Sequence, residues 1–237
     1  MTLEQQINRI CLIYGRRNDW AMPKIELRLV FLNTAIKFLC DAYDERDELQ
    51  YGKRLASVFA RWAAAVEFMS SLKVSKEMAR KYGAGCAYCK HSPCECPKRN
   101  RLPAQHVIPT SAQMDWSIKQ WQDHLCQLYG KKNEENGLDH ALRRLLSEAA
   151  EALGNWFIIS TEPPQAIIDM ERLNQELMFE LCDVFARLLA VSSLLGIGLE
   201  NAVDVQYRNG CSNCHRFPCA CGVVESGYSK GTGTRTV

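Results

Sequence analysis

An all-α fold follows from two observations on this 237-residue chain and gains its architecture from a third. Apolar residues recur at helical spacing over long stretches, and sustained apolar/polar alternation of the kind a half-buried strand needs is nearly absent. Glycine and proline punctuate those stretches at intervals suited to short helical bundles. The third observation is that the chain is written twice. Ile10-Cys11 and Tyr14-Gly15 with Arg16-Arg17 recur as Leu125-Cys126 and Tyr129-Gly130 with Lys131-Lys132. Val58-Phe59-Ala60-Arg61 recurs as Val184-Phe185-Ala186-Arg187, and Gly85-Cys86-x-x-Cys89 with Pro93-Cys94-x-Cys96 recurs as Gly210-Cys211-x-x-Cys214 with Pro218-Cys219-x-Cys221. Matches in the same order mark a tandem duplication of a unit of roughly a hundred residues.

In the first copy the periodicity predicts helices near 2–14, 23–43, 47–71 and 75–82. In the second it predicts helices near 115–130, 138–158, 166–195 and 199–208. Gly137 precedes the second of these, Thr161-Glu162-Pro163-Pro164 ends it, and Gly196 and Gly198 break the third. The expected organisation is a first repeat over 1–97, a linker over 98–114, a second repeat over 115–222 and a disordered tail over 223–237, rich in Gly, Ser and Thr. The connector begins Lys98-Arg99-Asn100-Arg101. Without aromatic interleaving, that run reads as a solvated linker rather than a nucleic-acid contact.

With 47% apolar residues each repeat can build a core, and 29 basic against 27 acidic residues leave no global field to attract nucleic acid or an anionic membrane. The start Met1-Thr2-Leu3-Glu4 lacks the basic flank and apolar run of an export signal, and no uncharged apolar run reaches membrane-spanning length. A cytoplasmic location is therefore the expectation. Its thiols would stay reduced, which turns the twelve cysteines from disulfide partners into metal ligands.

Eight of those cysteines form two C-x2-C-x4-C-x-C loops: Cys86, Cys89, Cys94 and Cys96, then Cys211, Cys214, Cys219 and Cys221. Four thiolates so close in sequence suit one tetrahedral Zn²⁺, and a closed four-sulfur shell is structural rather than catalytic. An iron–sulfur cluster or disulfides remain alternatives. His91 and His215 are surplus to such a shell and are expected to face solvent. Cys11, Cys40, Cys126 and Cys182 stand singly in apolar stretches and read as small core residues. Trp116 and Trp121 read as core or interface residues.

The two copies differ in charge. Glu148, Glu151, Glu180 and Asp183 stand where the first copy has Thr34, Lys37, Arg54 and Ser57. Residues three apart on a helix are surface neighbours, so each pair shares one flank of its apolar stripe. If the two helices pack antiparallel, the four acids converge, and such a cluster needs protons or a hard cation; all-oxygen ligation favours Mg²⁺ or Mn²⁺. Solvated acids on amphipathic helices are the plain alternative. Against it, the first copy keeps the apolar scaffold without any of them.

The stretch Ser147-Glu148-Ala149-Ala150-Glu151, then twenty-eight residues, then Glu180-Leu181-Cys182-Asp183 with Val184-Phe185-Ala186-Arg187 behind it, resembles the MazG-like all-α nucleoside triphosphate pyrophosphohydrolases over 115–210. The family carries a further glutamate where this chain has Ser147; the first copy is similar only in scaffold. The resemblance implies Mg²⁺-dependent hydrolysis of a nucleoside triphosphate to monophosphate and pyrophosphate, with Glu148, Glu151, Glu180 and Asp183 as catalytic metal ligands. For substrate it implies Arg187 as a phosphate contact or a shared structural ion-pair residue, and Arg208 as a further phosphate candidate. Asn155 and Trp156 follow the first acid pair; Trp156 is read either as a base-stacking ring or as an anchor for the longer hairpin. It also implies assembly from identical subunits, here fused into an intrachain pseudo-dimer that can associate further as a homo-oligomer. The rival expectations are a zinc-containing nucleotide sensor without turnover and a scaffold binding nucleic acid or protein.

Overall fold

A computed structural model describes residues 1–22, 24–69, 72–96, 110–161 and 167–221. The cores of the predicted linker and tail, 98–109 and 223–237, lie outside the described residues. The first half contains α1 (Leu3–Ala21), α2 (Ile25–Asp44), α3 (Glu48–Phe68) and α4 (Val74–Tyr82). The second contains α5 (Ser111–Met114), α6 (Ile118–Thr161), α7 (Ile167–Leu194) and α8 (Leu199–Tyr207). No strand occurs among the described residues, and among them no single helix is long and apolar enough to cross a membrane.

Local chemistry accounts for several boundaries. Thr2 and Gln5 form a reciprocal capping box at the start of α1. Glu4 reaches across to cap α4, its Oε1 accepting from the N–H and hydroxyl of Ser75, both at 2.9 Å. α1 runs seven residues past the expected end at Tyr14, and in the second half the two helices expected near 115–130 and 138–158 follow one another within α6 on either side of the non-helical Gly137. Gly137 kinks α6 with φ of 79°, a conformation open to glycine. The short α5 falls inside the expected linker and packs on α4 through Gln113 Nε2, which donates to the Gly83 carbonyl at 2.7 Å.

α2 and α3 pack antiparallel, as Arg28 on the Ala64 carbonyl (2.6 Å) and Arg54 over the Phe38 ring (5.5 Å) show. α6 and α7 do the same, with Glu148 opposite Arg187 and Asn155 opposite Glu180. The buried apolar residues of both halves form one continuous core. At its centre the counterparts Phe59 and Phe185 meet at 6.2 Å between ring centroids, Trp62 stacks on Phe185 at 4.5 Å, and the Trp62 indole donates to the Leu181 carbonyl at 2.8 Å.

The cysteine loops cross over. Cys94 N–H donates to the Leu128 carbonyl at 2.9 Å, and its counterpart Cys219 N–H donates to the Ile13 carbonyl at 2.7 Å. Ala87 N–H donates to the Tyr129 hydroxyl and Ser212 N–H to the Tyr14 hydroxyl. Tyr82 meets Tyr129 edge-on at 6.3 Å while Tyr207 meets Tyr14 edge-on at 5.9 Å. Each loop therefore closes on the first long helix of the opposite half.

Of the single cysteines, Cys11 and Cys182 are buried and Cys40 is half-buried. Cys126 departs from the core expectation: it is exposed, bordering a cavity of about 50 Å³ lined by α6 and α7. It stands one position beyond buried Leu125, and that one step of about 100° takes it off the buried stripe. Trp121 is fully buried and Trp116 packs edge-on against it.

Candidate metal centres and the acidic cavity

Each cysteine loop is built the same way. Gly85 (φ 123°) and Gly210 (φ 96°) turn the chain out of α4 and α8, and a Cβ there would strike the Lys90 and Arg216 carbonyls at 2.4 and 2.6 Å. The turn returns Cys86 N–H to the His91 carbonyl in the first loop and Cys211 N–H to the Arg216 carbonyl in the second. Within each quartet the four sulfurs lie within 4.8 Å of one another, with Cys86 to Cys96 at 3.6 Å and Cys211 to Cys221 at 3.8 Å. Tetrahedral zinc with bonds of about 2.3 Å sets its sulfurs about 3.8 Å apart, so both quartets can hold one Zn²⁺. Burial pushes the Cys86 thiol up, but the N–H groups of Cys89 and Tyr88 and the Tyr129 hydroxyl bring it down to about 6. At Cys214 the N–H groups of Ala220 and Arg216 lower the thiol to about 6. Thiols poised in this way are ready ligands. His91 and His215 are exposed, His91 pairing with Glu95 at 2.9 Å.

The acids of α6 and α7 converge. Glu148, Glu151 and Glu180 each offer a carboxylate oxygen within 4.8 Å of the others. Glu148 is buried and its Oε1 accepts from Arg144 at 2.7 Å and Arg187 at 3.3 Å. Glu151 lies at the solvent edge, its Oε1 accepting from the Ser147 hydroxyl at 2.8 Å. Asn155 donates to Glu180 at 3.2 Å. Burial first, then repulsion from Asp183 that Lys81 partly offsets, then Glu148 and Glu151, push the Glu180 carboxyl up to about 7.

Asp183 stands apart from that trio. Lys81 Nζ pairs with its Oδ1 at 2.6 Å, and the Tyr82 hydroxyl donates to the same oxygen. Both partners come from α4, in the other half. Burial would lower the Lys81 ammonium, but the Asp183 carboxylate holds it above its ordinary value. All four acids border one cavity of about 720 Å³ that runs from them, past His140 and Arg144 on α6, to Cys86, Cys94 and Cys96 of the first cysteine loop. Arg187 lines it too.

Three predicted substrate residues lie elsewhere. Asn155 is engaged with Glu180, while Trp156 packs against the core with its indole N–H buried and without a partner among the described residues; neither lines the cavity. Arg208 is exposed at the C-cap of α8 and does not line it either. Lys81, Tyr82, Tyr88, Lys132 and Arg144 line the cavity, and sequence reasoning missed them. Arg144 had a signal, four residues before Glu148 on one helix. Lys81 had one as well: its counterpart is Gln206, a gain in the first copy beside all its losses.

The corresponding positions of the first half carry no acids. Thr34 donates to the Val30 carbonyl at 2.9 Å, Lys37 pairs with Asp41 at 2.7 Å, and Arg54 and Arg61 lie over the rings of Phe38 and Phe31. Aromatic–guanidinium contacts thus border α2 and α3 there. No protein-family model, curated protein or solved structure matches the chain.

Proposed function

We propose that this chain is a MazG-like nucleoside triphosphate pyrophosphohydrolase with one acidic site, in the second half, and that its halves form an intrachain pseudo-dimer. The observation that carries the reading is the meeting of Glu148, Glu151 and Glu180 on two antiparallel helices, at the edge of a cavity of ligand size. An all-carboxylate donor set fits Mg²⁺ or Mn²⁺, and the Glu180 carboxyl, raised by burial and then by the neighbouring carboxylates, is one whose charge a cation would relieve. Such a cation, when bound, neutralises triphosphate charge and polarises a water.

The protein's own groups divide the remaining work. Arg144 and Arg187 hold the Glu148 side chain in place in its buried setting. Ser147 orients Glu151, which at the solvent edge is the carboxylate with access to the attacking water and takes its proton. Lys81 and Tyr82 fix Asp183 from the opposite half, so the first copy serves as wall and support rather than as a second enzyme. Arg187 lines the cavity beside Glu148 and supplies a phosphate contact there.

Purified protein incubated with Mg²⁺ and a panel of nucleoside triphosphates should release pyrophosphate. Glu148→Gln and Glu180→Gln should each cut the rate about a hundredfold or more. One observation favours a sensor that binds without turnover: Asp183 is already neutralised by Lys81. Nucleotide binding with no pyrophosphate from the whole panel would establish that second reading and refute the first.

A further inference from the structure

The two cysteine loops share one spacing but not one environment. Cys86, Cys94 and Cys96 of the first loop border the acidic cavity, whereas no residue of the second loop lines it. Lys132 ties the cavity to the first loop, its Nζ donating to Cys94 Sγ at 3.3 Å and to the Cys96 carbonyl at 2.8 Å. The same loop contributes Tyr88, set between two of its ligand cysteines, half-buried and lining the cavity. Tyr88 lines the same cavity as Lys81, which in turn holds Asp183.

The other two tyrosine rings of the cavity are committed. Tyr82 donates to Asp183, Tyr129 accepts from Ala87 N–H, and the two rings meet edge-on. Of the three tyrosines Tyr88 remains, half-exposed and carried by the cysteine loop itself, and its counterpart in the second loop is Asn213, a residue without a ring. A ligand that fills such a cavity presents anionic groups at the cation-binding acids and a flat group to Tyr88.

Resting on the nucleotide reading of the acidic site, we propose that the first cysteine loop is a ligand-binding element, with Tyr88 stacking on the base of a nucleoside triphosphate whose phosphates lie at the acids. Base-on-aromatic stacking tolerates any base, because every base has a π face, so Tyr88 supplies affinity for nucleotide over bare polyphosphate rather than choice among bases. The second loop, alike in ligands, takes no part in binding.

The test is calorimetric titration of the full chain, in Mg²⁺, with α,β-imido nucleoside triphosphates and with inorganic tripolyphosphate as the base-free probe. Wild type is compared with Tyr88→Ala, Tyr88→Phe and Asn213→Ala, with zinc content measured on each. Tyr88→Ala should bind nucleotide about ten- to a hundredfold more weakly while its tripolyphosphate affinity stays unchanged; Tyr88→Phe and Asn213→Ala should match wild type. Should Tyr88→Ala lose zinc, Tyr88→Leu, which keeps apolar bulk without the flat ring, is judged by the same criteria. Wild-type nucleotide affinity in the Tyr88 variant, or parallel loss of tripolyphosphate, overturns the proposal and leaves the hydrolase reading intact. Nucleotide bound in this Tyr88-dependent way by a protein that hydrolyses none overturns the hydrolase and keeps the stacking role. A wild type that binds neither probe overturns both.

Discussion

Glu180→Gln should make the metal-free protein more stable at pH 8 and leave it unchanged near pH 4.5. Glu180 is pushed from 4.5 to about 7 in the folded protein, chiefly by burial and by Asp183. Between those values the folded state keeps a proton that the unfolded chain has released, so stability falls as pH rises through that window and stays low above it. At 1.36 kcal/mol per pH unit the ceiling is about 3.4 kcal/mol. Glu180 is only partly buried, so solvent screening reduces this to about 1–2 kcal/mol. The substitution removes the charge, while the amide oxygen it introduces can still accept from Asn155. For a chain of this length the gain corresponds to about 2–8 °C in Tm at pH 8, vanishing below pH 5. Differential scanning calorimetry at both pH values, without divalent cation, measures it. Equal Tm for the two proteins at pH 8, or an equal gain at both pH values, would refute the claim that an unneutralised carboxylate strains this site. The same variant loses the proposed activity, which makes it a stability gain obtained by dismantling a site.

Magnesium titrated into wild type at pH 6 should release a proton that Glu180→Gln does not release, read as a buffer-dependent enthalpy. Lys81→Met removes the cation that lowers the Glu180 carboxyl, so its midpoint should move above about 7, followed by carbon-detected NMR. Phe185→Ala, which empties a fully buried position stacked on Trp62, should cost about 3–5 kcal/mol in urea unfolding, against less than about 0.5 kcal/mol for Arg208→Ala. Cys86→Ser and Cys211→Ser should each lower zinc from two per chain to one, and chelation of the wild type should lower Tm because both loops hold inter-half contacts.

Helix type, the duplication and the cysteine quartets are legible in the residues because each rests on a local rule: period, repeated order and ligand spacing. Gly137 reads as a boundary and is one, its non-helical backbone (φ 79°, ψ 168°) separating two successive helical segments, the first of which runs further than its apolar period suggests. The convergence of Glu148, Glu151 and Glu180 is legible because the same apolar stripe that packs α6 on α7 fixes the flank on which the acids sit. Asp183 shares that flank, but its partners Lys81 and Tyr82 lie about a hundred residues upstream, where only the packing of α4 on α7 brings them. Trp156 shows the converse: its place beside the acids in sequence leaves both the cavity and an anchoring role open, and one step of about 100° beyond Asn155, which meets Glu180, puts it against the core.

The crossing of the cysteine loops has a consequence for biosynthesis. The Ile13 carbonyl receives its hydrogen bond from the other half only once Cys219 exists to donate it, and Cys94 N–H has no such acceptor until Leu128 is in place. As the chain leaves the ribosome the first helix therefore remains unlatched until the second cysteine loop has been made. The native closure of the early half is thus an event that follows synthesis of the second cysteine loop.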